Sequence, residues 1–165
     1  MNISKQRGVT LAEVLIAVAV IGIIAAIAVP SYQETIERNR LKQASESLLA
    51  DVLYARTEAI KKSVDLTMTI DAGTPWCYGI NDDNTACDCA TAGSCALKAV
   101  AGSEFQGISL DADDSVTFSF RRGTANAMGT TLSSTNFSTR VVVSTAGRAR
   151  ICNPGDNGLL GYPDC

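Results

Sequence analysis

The sequence predicts an α+β protein in which one long N-terminal helix packs on an antiparallel β-sheet with disulfide-pinned loops. Three features support this. Residues 9–29 are almost wholly apolar, residues 36–60 carry apolar side chains mostly at three- and four-residue spacing, and short alternating segments follow between turn residues. The helix therefore has an apolar half and an amphipathic half, and the sheet is expected to cover the stripe of the amphipathic half.

The apolar stretch runs from Val9 to Val29 and is followed directly by Pro30. As a helix rising about 1.5 Å per residue it would be roughly 30 Å long, which is the thickness of a bilayer's hydrocarbon core. We therefore predict a membrane-spanning helix over residues 9–30. Its one acid, Glu13, would cost on the order of 2.5 kcal/mol or more unless it is paired or near the interface, so we expect it to have a functional partner.

The segment before this helix, MNISKQRG, is polar and contains Lys5 and Arg7. A secretory signal is cut after its apolar region, whereas the candidate cleavage site here, after Gly8, precedes it. By the positive-inside rule the basic residues stay in the cytoplasm and the rest of the chain crosses to the other side of the membrane. We predict a leader at residues 1–8, the helix, and one periplasmic globular domain at residues 31–165.

Composition restricts the classes of function. The chain has no histidine, which excludes Ser-His-Asp triads, HExxH sites and histidine-containing metal centres. With no nucleophile and base standing out as a pair, we predict neither catalysis nor a cofactor. Loss of the leader would leave 12 basic against 17 acidic residues, a net charge of −5, which does not favour a general nucleic-acid binder although a local basic patch is compatible with it.

Six cysteines all follow the apolar stretch: Cys77, Cys87, Cys89, Cys95, Cys152 and Cys165. An even number on the exported side predicts disulfides in an oxidising compartment such as the periplasm. If Cys152 pairs with Cys165, strain in a Cys87–Cys89 ring leaves Cys77 to pair with Cys87 or Cys89, and Cys95 with the other. The alternative is a four-thiolate zinc site, but the CxC spacing differs from the usual CxxC pair.

Alternation and turn residues predict strands at residues 64–70, 76–80, 105–110, 115–120, 137–144 and 148–152. Trp76 and Tyr78 are assigned to the core over the helix in preference to a ligand site. Residues 81–102, 124–136 and 153–165 are predicted loops. Asp82, Asp83 and Asn84 offer oxygen ligands for calcium, but the segment lacks the glycine and distal glutamate of an EF-hand, so a solvated loop is predicted.

Arg7, Gly8 and an apolar run with an acid at its fifth position resemble the class III leader of type IV pilins and type II secretion pseudopilins. The resemblance implies cleavage between Gly8 and Val9 by a prepilin peptidase, usually with methylation of the new amino terminus, although Val9 stands where most members have Phe. It also implies that Glu13 neutralises the amino terminus of an adjacent subunit. The alternative is an ordinary signal anchor with an incidental acid.

Two residues of the helix extend this resemblance to assembled filaments. Gly22 and Pro30 match positions that bracket a locally unwound segment in assembled pili of the family. Glycine and proline are the weakest helix formers, which is compatible with such unwinding.

The order of one long helix followed by strands resembles the type IV pilin fold. Finer features resemble the minor pilins and pseudopilins of the GspH/FimT/FimU type: ARTEAIKKSVDLTM at 55–68, Trp76 with Gly79, residues 120–123, and VVVSTAGRARIC at 141–152. Arg122 and the cysteine-rich loop depart from the family pattern. The resemblance implies a structural subunit that primes or caps a type IV pilus, with other minor and major pilins, the assembly platform of the inner membrane and, before assembly, lipid as partners.

Two alternatives differ in function. Residues 147–150, GRAR, match a GRxR motif of DNA-binding pilins of natural transformation, with Arg148 and Arg150 on one face if the strand is regular. Arg121, Arg122 and Arg140 could add positive charge, although arginines beside a hairpin turn are commonly just solvated. The other alternative is a type II secretion pseudopilin of nearly the same fold.

Overall fold

The computed structural model describes residues 9–165, with the backbone alone described at Pro30. The predicted leader, including Gly8, lies outside the described residues, so its cleavage stays a prediction. The chain forms two compact units, Met1–Ile36 and Glu37–Cys165. Helix α1 spans Leu11–Lys62 and therefore contributes to both.

In the first unit, α1 begins at a threonine cap. The Glu13 backbone N–H donates to Oγ1 of Thr10 at 3.3 Å, as expected of an N-cap threonine and the third helical residue. The apolar side chains that follow are all exposed. With a mean hydropathy of 2.8, this is the one helix in residues 9–165 long and apolar enough to cross a membrane. Its backbone is helical through Gly22 and Pro30, and the unwinding implied for assembled filaments stays a prediction.

The second unit, residues 37–165, adds eight strands to the helix. These are β1 (Leu66–Asp71), β2 (Cys77–Ile80), β3 (Lys98–Ala101), β4 (Ser109–Leu110), β5 (Asp114–Phe118), β6 (Met128–Ser133), β7 (Ser138–Val143) and β8 (Ala149–Cys152). They form two antiparallel sheets, ordered β3-β2-β1-β5 and β4-β6-β7-β8. The α+β class is confirmed, but the structure has eight strands in two sheets where six strands in one sheet were predicted.

Two strands lie in segments that were predicted to be loops. β6 has the sequence MGTTLS, in which Met128, Thr130 and Leu132 are buried in strict alternation; its small and polar residues hid this period, although threonine favours strands. β3 is an edge strand with only Val100 buried, so its sequence carries little apolar signal. The strand predicted at 105–110 shortens to Ser109–Leu110 because residues 105–107 form a turn, in which the Ile108 N–H donates to the Phe105 carbonyl at 3.2 Å.

The predicted stripe of α1 forms the centre of the core. Six of its residues are at most 1% exposed: Leu41, Ala44, Leu48, Val52, Ala55 and Ala59. By contrast, Ile36 at its start is half-buried and Ile60 at its end is 50% exposed. The six buried residues belong to one apolar cluster with side chains from both sheets, among them Met68 and Val141. The core assignment of Trp76 is confirmed, since its ring stacks on Phe105 at 5.9 Å and its Nε1 donates to the Ile108 carbonyl at 2.6 Å.

A partly buried polar cluster fastens β2 and β3 to the helix. Tyr78 donates its hydroxyl to Oδ2 of Asp51 at 2.8 Å, and Lys98 donates Nζ to Oδ1 of the same carboxylate at 2.6 Å. Burial raises the pKa of Tyr78, and the adjacent Asp51 acts in the same direction. The Asp51 side chain is thereby hydrogen-bonded at both oxygens, which offsets the cost of burying its charge.

The six cysteines form three disulfides: Cys77–Cys89, Cys87–Cys95 and Cys152–Cys165. This pairing is one of the two that the sequence left open. A Cβ at Gly79 would lie 2.2 Å from the Cys95 sulfur, so only glycine leaves room for the second disulfide on β2. Within the loop that follows β2, the Asp83 carboxylate accepts hydrogen bonds from Asn81 and Thr85.

The carboxyl-terminal loop, residues 153–165, is organised around Asn153. The Asn153 amide donates to the carbonyls of Leu159 and Tyr162 at 3.0 and 2.9 Å, and its oxygen accepts from the Leu159 N–H at 3.1 Å. Tyr162 donates its hydroxyl to Glu46 of α1 at 3.0 Å. Burial, together with this carboxylate, raises the pKa of Tyr162 to about 12. The loop is thus fixed by side-chain contacts as well as by its disulfide.

Candidate functional site

The candidate site is built on the hairpin of β7 and β8, which we call the arginine hairpin (residues 138–152). Val142 pairs with Arg150, and Arg140 pairs with Cys152. The turn between the strands closes through hydrogen bonds from Ser144 N–H to the Arg148 carbonyl at 2.9 Å and from Gly147 N–H to the Ser144 carbonyl at 2.8 Å. The turn requires glycine at position 147, where φ is +71°.

Arg148 and Arg150 present their charge to solvent. Both are exposed, and neither guanidinium has a hydrogen bond or ion pair with any residue in the range 9–165. They border one open cavity of about 470 Å³, which also involves Val142 and Ser144. An unpaired guanidinium is a fork of donors suited to the oxygens of phosphate or carboxylate groups.

The structure separates Arg140 from these two residues. By the pairing register Arg140 lies diagonally from Arg150 on the same face of the sheet. Its Nη2, however, donates to the Gly129 carbonyl at 3.2 Å and the side chain is half-buried. Arg140 thus ties β7 to β6, and its guanidinium is less available to a ligand than those of the turn.

Arg121 and Arg122 lie in the loop after β5, which we call the arginine loop (residues 119–123). Both are exposed. The Arg121 guanidinium stacks over the Phe120 ring at 5.5 Å from its centroid, a cation–π contact. The loop is closed by the Gly123 N–H, which donates to the Ser119 carbonyl at 2.8 Å.

The arginine loop and the arginine hairpin are in direct contact. A Cβ built on Gly147 would lie 1.9 Å from the Gly123 carbonyl oxygen, and the Ala125 N–H donates to the Thr145 carbonyl at 3.2 Å. Arg56 of α1 joins them, since its Nε donates to the same Gly123 oxygen at 3.0 Å. Sequence reasoning missed Arg56; the only local signal is an arginine beside the buried stripe.

The residues predicted to act in assembly lie in the first unit. Val9 and Glu13 are exposed, and Gly22 has open space around its Cα. Sequence reasoning missed the cap at Thr10, which the T-x-x-E pattern of residues 10–13 could have identified. Glu13 at the third helical position is also favoured by the positive end of the helix dipole.

Two family models match the chain: Type II transport protein GspH, over residues 44–147, and the prokaryotic N-terminal methylation motif, over residues 3–29. The second match overlaps the predicted leader and apolar stretch, and the first extends from α1 to the turn of the arginine hairpin.

Among solved structures, the chain is similar to the type IV minor pilin FimU of Pseudomonas aeruginosa, with 25% identity and a TM-score of 0.53, covering 70% of this chain and 90% of that one. Among curated relatives it is 41% identical over 71 residues to the type IV major fimbrial protein FimA of Dichelobacter nodosus, and 49% identical over 39 residues to the fimbrial protein EcpC of Eikenella corrodens. The chain spans 43% and 26% of the length of these two relatives.

Proposed function

This chain belongs to the GspH family of type IV pilin-like proteins, and on that premise we propose that it is a minor pilin that primes or caps a type IV pilus. The observation that carries this proposal is the first unit: residues 11–29 of α1 expose apolar side chains on every side. Such a surface requires an apolar environment. Lipid supplies it before assembly, and the helices of major and minor pilins supply it in the filament. The likeness to FimU favours a minor subunit.

In this proposal a prepilin peptidase removes residues 1–8, and Val9 becomes the methylated amino terminus. The assembly platform of the inner membrane then receives the subunit with its second unit in the periplasm. Glu13 pairs with the amino terminus of a neighbouring subunit, which offsets the cost of its charge in an apolar environment. The three disulfides agree with an oxidising compartment.

Replacement of Glu13 tests the assembly role. The Glu13→Leu variant should insert into the membrane normally but should be lost from sheared filaments, as measured by its ratio in filament and membrane fractions. Thr10→Ala is the matched control, because it removes the cap at 3.3 Å and keeps the acid. Normal incorporation of Glu13→Leu would contradict the proposal, and equal loss in both variants would mean that assembly depends on the intact start of the helix and not on the acid in particular.

The closest alternative in this class is a pseudopilus subunit of type II secretion. A deletion strain separates the two, because the minor-pilin proposal expects loss of surface pili with secretion retained. Loss of secretion with pili retained would instead support the pseudopilin.

A second candidate function, DNA binding, is favoured by one observation: the guanidinium groups of Arg148 and Arg150 are exposed and without partners among the described residues. Duplex DNA carries closely spaced phosphates, and each neutralised phosphate contributes a salt-dependent term to binding. The full-length protein in non-ionic detergent should therefore bind duplex DNA with an affinity that falls as salt rises.

The double variant Arg148→Ala/Arg150→Ala should bind weakly, and the negative slope of its log affinity against log salt should become shallower by about 2. The control Arg40→Ala/Lys62→Ala removes two exposed positive charges elsewhere on α1 and should keep the slope. Absence of binding by the unsubstituted protein at low salt would refute this second function.

A further inference from the structure

We infer that Arg56 is a positioning residue that joins the arginine loop and the arginine hairpin into one surface for the phosphodiester backbone of nucleic acid. The inference rests on the proposed DNA-binding function. It extends the proposed binding surface from Arg148 and Arg150 to Arg121 and Arg122. It also proposes that Arg56, a residue of α1, holds the two segments of this surface in place.

The central atom of this arrangement is the carbonyl oxygen of Gly123. Arg56 donates Nε to it at 3.0 Å. The same oxygen lies so close to Gly147 that a Cβ there would be 1.9 Å from it, and this Cβ would also be 3.1 Å from Nε of Arg56. Gly123 and Gly147 both have positive φ, +61° and +71°, so glycine serves the backbone conformation at both positions. One oxygen therefore fixes the spacing between the two arginine-bearing segments.

Arg56 is itself held by the core. It follows Ala55 on α1, and Val52, Ala55 and Ala59 are completely buried, so the backbone that carries the side chain is immobilised by packing. The Asp65 carboxylate fixes the other end of the arginine loop by accepting from the Phe120 N–H at 2.9 Å. The loop is thus anchored at both ends, while its two arginines face solvent.

Such anchoring bears on binding because a polyanion gains affinity when the cations it contacts are already in place. The chain is acidic overall, with 17 acidic and 14 basic residues. The arginines of the arginine loop and the arginine hairpin therefore carry a local charge opposite in sign to the net charge of the chain. If the arginine loop and the arginine hairpin moved independently, each would lose conformational entropy when it bound a phosphate, and this loss would weaken binding.

The chemistry of the side chain provides a sharp test. In glutamine, Nε2 stands the same number of bonds from Cα as Nε of arginine, so Arg56→Gln removes the charge and keeps a donor for the Gly123 oxygen. In lysine a methylene occupies that place and the charge lies one atom further out. If Arg56 positions the two segments, Arg56→Gln should retain affinity for DNA and Arg56→Lys should not. If the charge of Arg56 contacts DNA directly, the reverse is expected.

The experiment uses the full-length protein in non-ionic detergent with duplex DNA. We expect Arg56→Lys to weaken binding about five- to tenfold, which is the effect of one lost hydrogen bond. In the same variant, amide hydrogen exchange should increase at residues 123–125 and 145–147. Arg56→Gln should retain affinity within about threefold, with protected amides. Gly147→Ala, which forces the segments apart with every charge retained, should also weaken binding, whereas Gly155→Ala, which has open space, should not.

Retained affinity in Arg56→Lys with loss in Arg56→Gln would overturn the inference in favour of a charge contact. Unchanged hydrogen exchange in Arg56→Lys and Gly147→Ala would overturn it independently of DNA. Failure of the unsubstituted protein to bind DNA refutes the proposed function and the phosphate surface with it, while the exchange data alone then decide whether Arg56 joins the two segments.

Discussion

The two parts of helix α1 carry similar apolar residues but meet different surroundings. In residues 11–29, side chains such as Ile24 are 61% exposed. In residues 41–59, the stripe that includes Leu48 is at most 1% exposed, in one cluster with both sheets. Periodicity explains the difference, because apolar residues on all sides cannot be covered by one sheet whereas a stripe can. The second part therefore obtains its stability from its own chain, and the first depends on lipid or other subunits.

The largest expected effect is on stability and comes from the packed part of α1. Leu48→Ala should lower the free energy of unfolding by about 2–5 kcal/mol, because a buried leucine leaves a cavity. Urea denaturation of the full-length protein in detergent measures it. Ile24→Ala, its match in the exposed part, should change that value by less than about 0.5 kcal/mol. Comparable losses in both variants would remove the distinction between the two parts.

The second effect concerns the carboxyl-terminal loop. Cys152→Ala/Cys165→Ala opens a bridge between residues 13 apart, and a loop of this size corresponds to roughly 3 kcal/mol. The hydrogen bonds of Asn153 alone should then be insufficient to keep the loop folded, and proteases should cleave residues 153–165 first. A protease-resistant loop in the Cys152→Ala/Cys165→Ala variant would show that the hydrogen bonds of Asn153 hold the loop without the bridge.

A smaller effect is expected at the polar cluster between α1 and the first sheet. Tyr78→Phe removes the hydrogen bond to Asp51 and should cost about 1 kcal/mol in thermal or urea unfolding. The Asp51 carboxylate keeps Lys98 as a partner, which limits the loss. Tyr54→Phe, at a tyrosine of α1 that is 41% exposed, serves as the control and should be neutral.

These differences also explain how much of the fold the sequence could predict. The spacing of apolar residues can be recognised within a few residues in the stripe on α1 and in strands β1, β5, β7 and β8. Reasoning from the local sequence therefore finds these elements. Strand β6 cannot be recognised in this way, because its central residue Thr130 is polar and is buried only by its place between two neighbouring strands. Whether a small polar strand lies inside a sheet is decided by tertiary contacts that no local pattern encodes.

The candidate site divides in the same way. Exposure of Arg148 and Arg150 follows from the turn and the strand period, both of which are local. The contact between Arg56 and Gly123 joins residues 67 apart in the sequence, and the contact of Gly123 with Gly147 joins two separate loops. Neither could be predicted without the arrangement of the sheets.

The smallest expected effect depends on pH and lies at Glu37, the first residue of the second unit. Its two carboxylate oxygens accept from the backbone N–H and the side-chain amide of Asn136 at 2.7 and 2.8 Å. Slight burial acts to raise the pKa of Glu37, but the hydrogen bonds from Asn136 outweigh it and hold the pKa below its ordinary value of 4.5.

Because the folded-state pKa is lowered, the stabilisation by Glu37 is complete above about pH 4.5 and is lost as the pH falls through the lowered value. The amide resonance of Asn136 should therefore titrate below about pH 4.5, with faster hydrogen exchange at the acid end. Glu37→Gln keeps the shape of the side chain but not its titration, so the resonance should lose this pH dependence. A resonance that titrates equally in Glu37→Gln would assign the effect to another acid, and one that stays constant in the unsubstituted protein would mean that the bond to Asn136 does not form in solution.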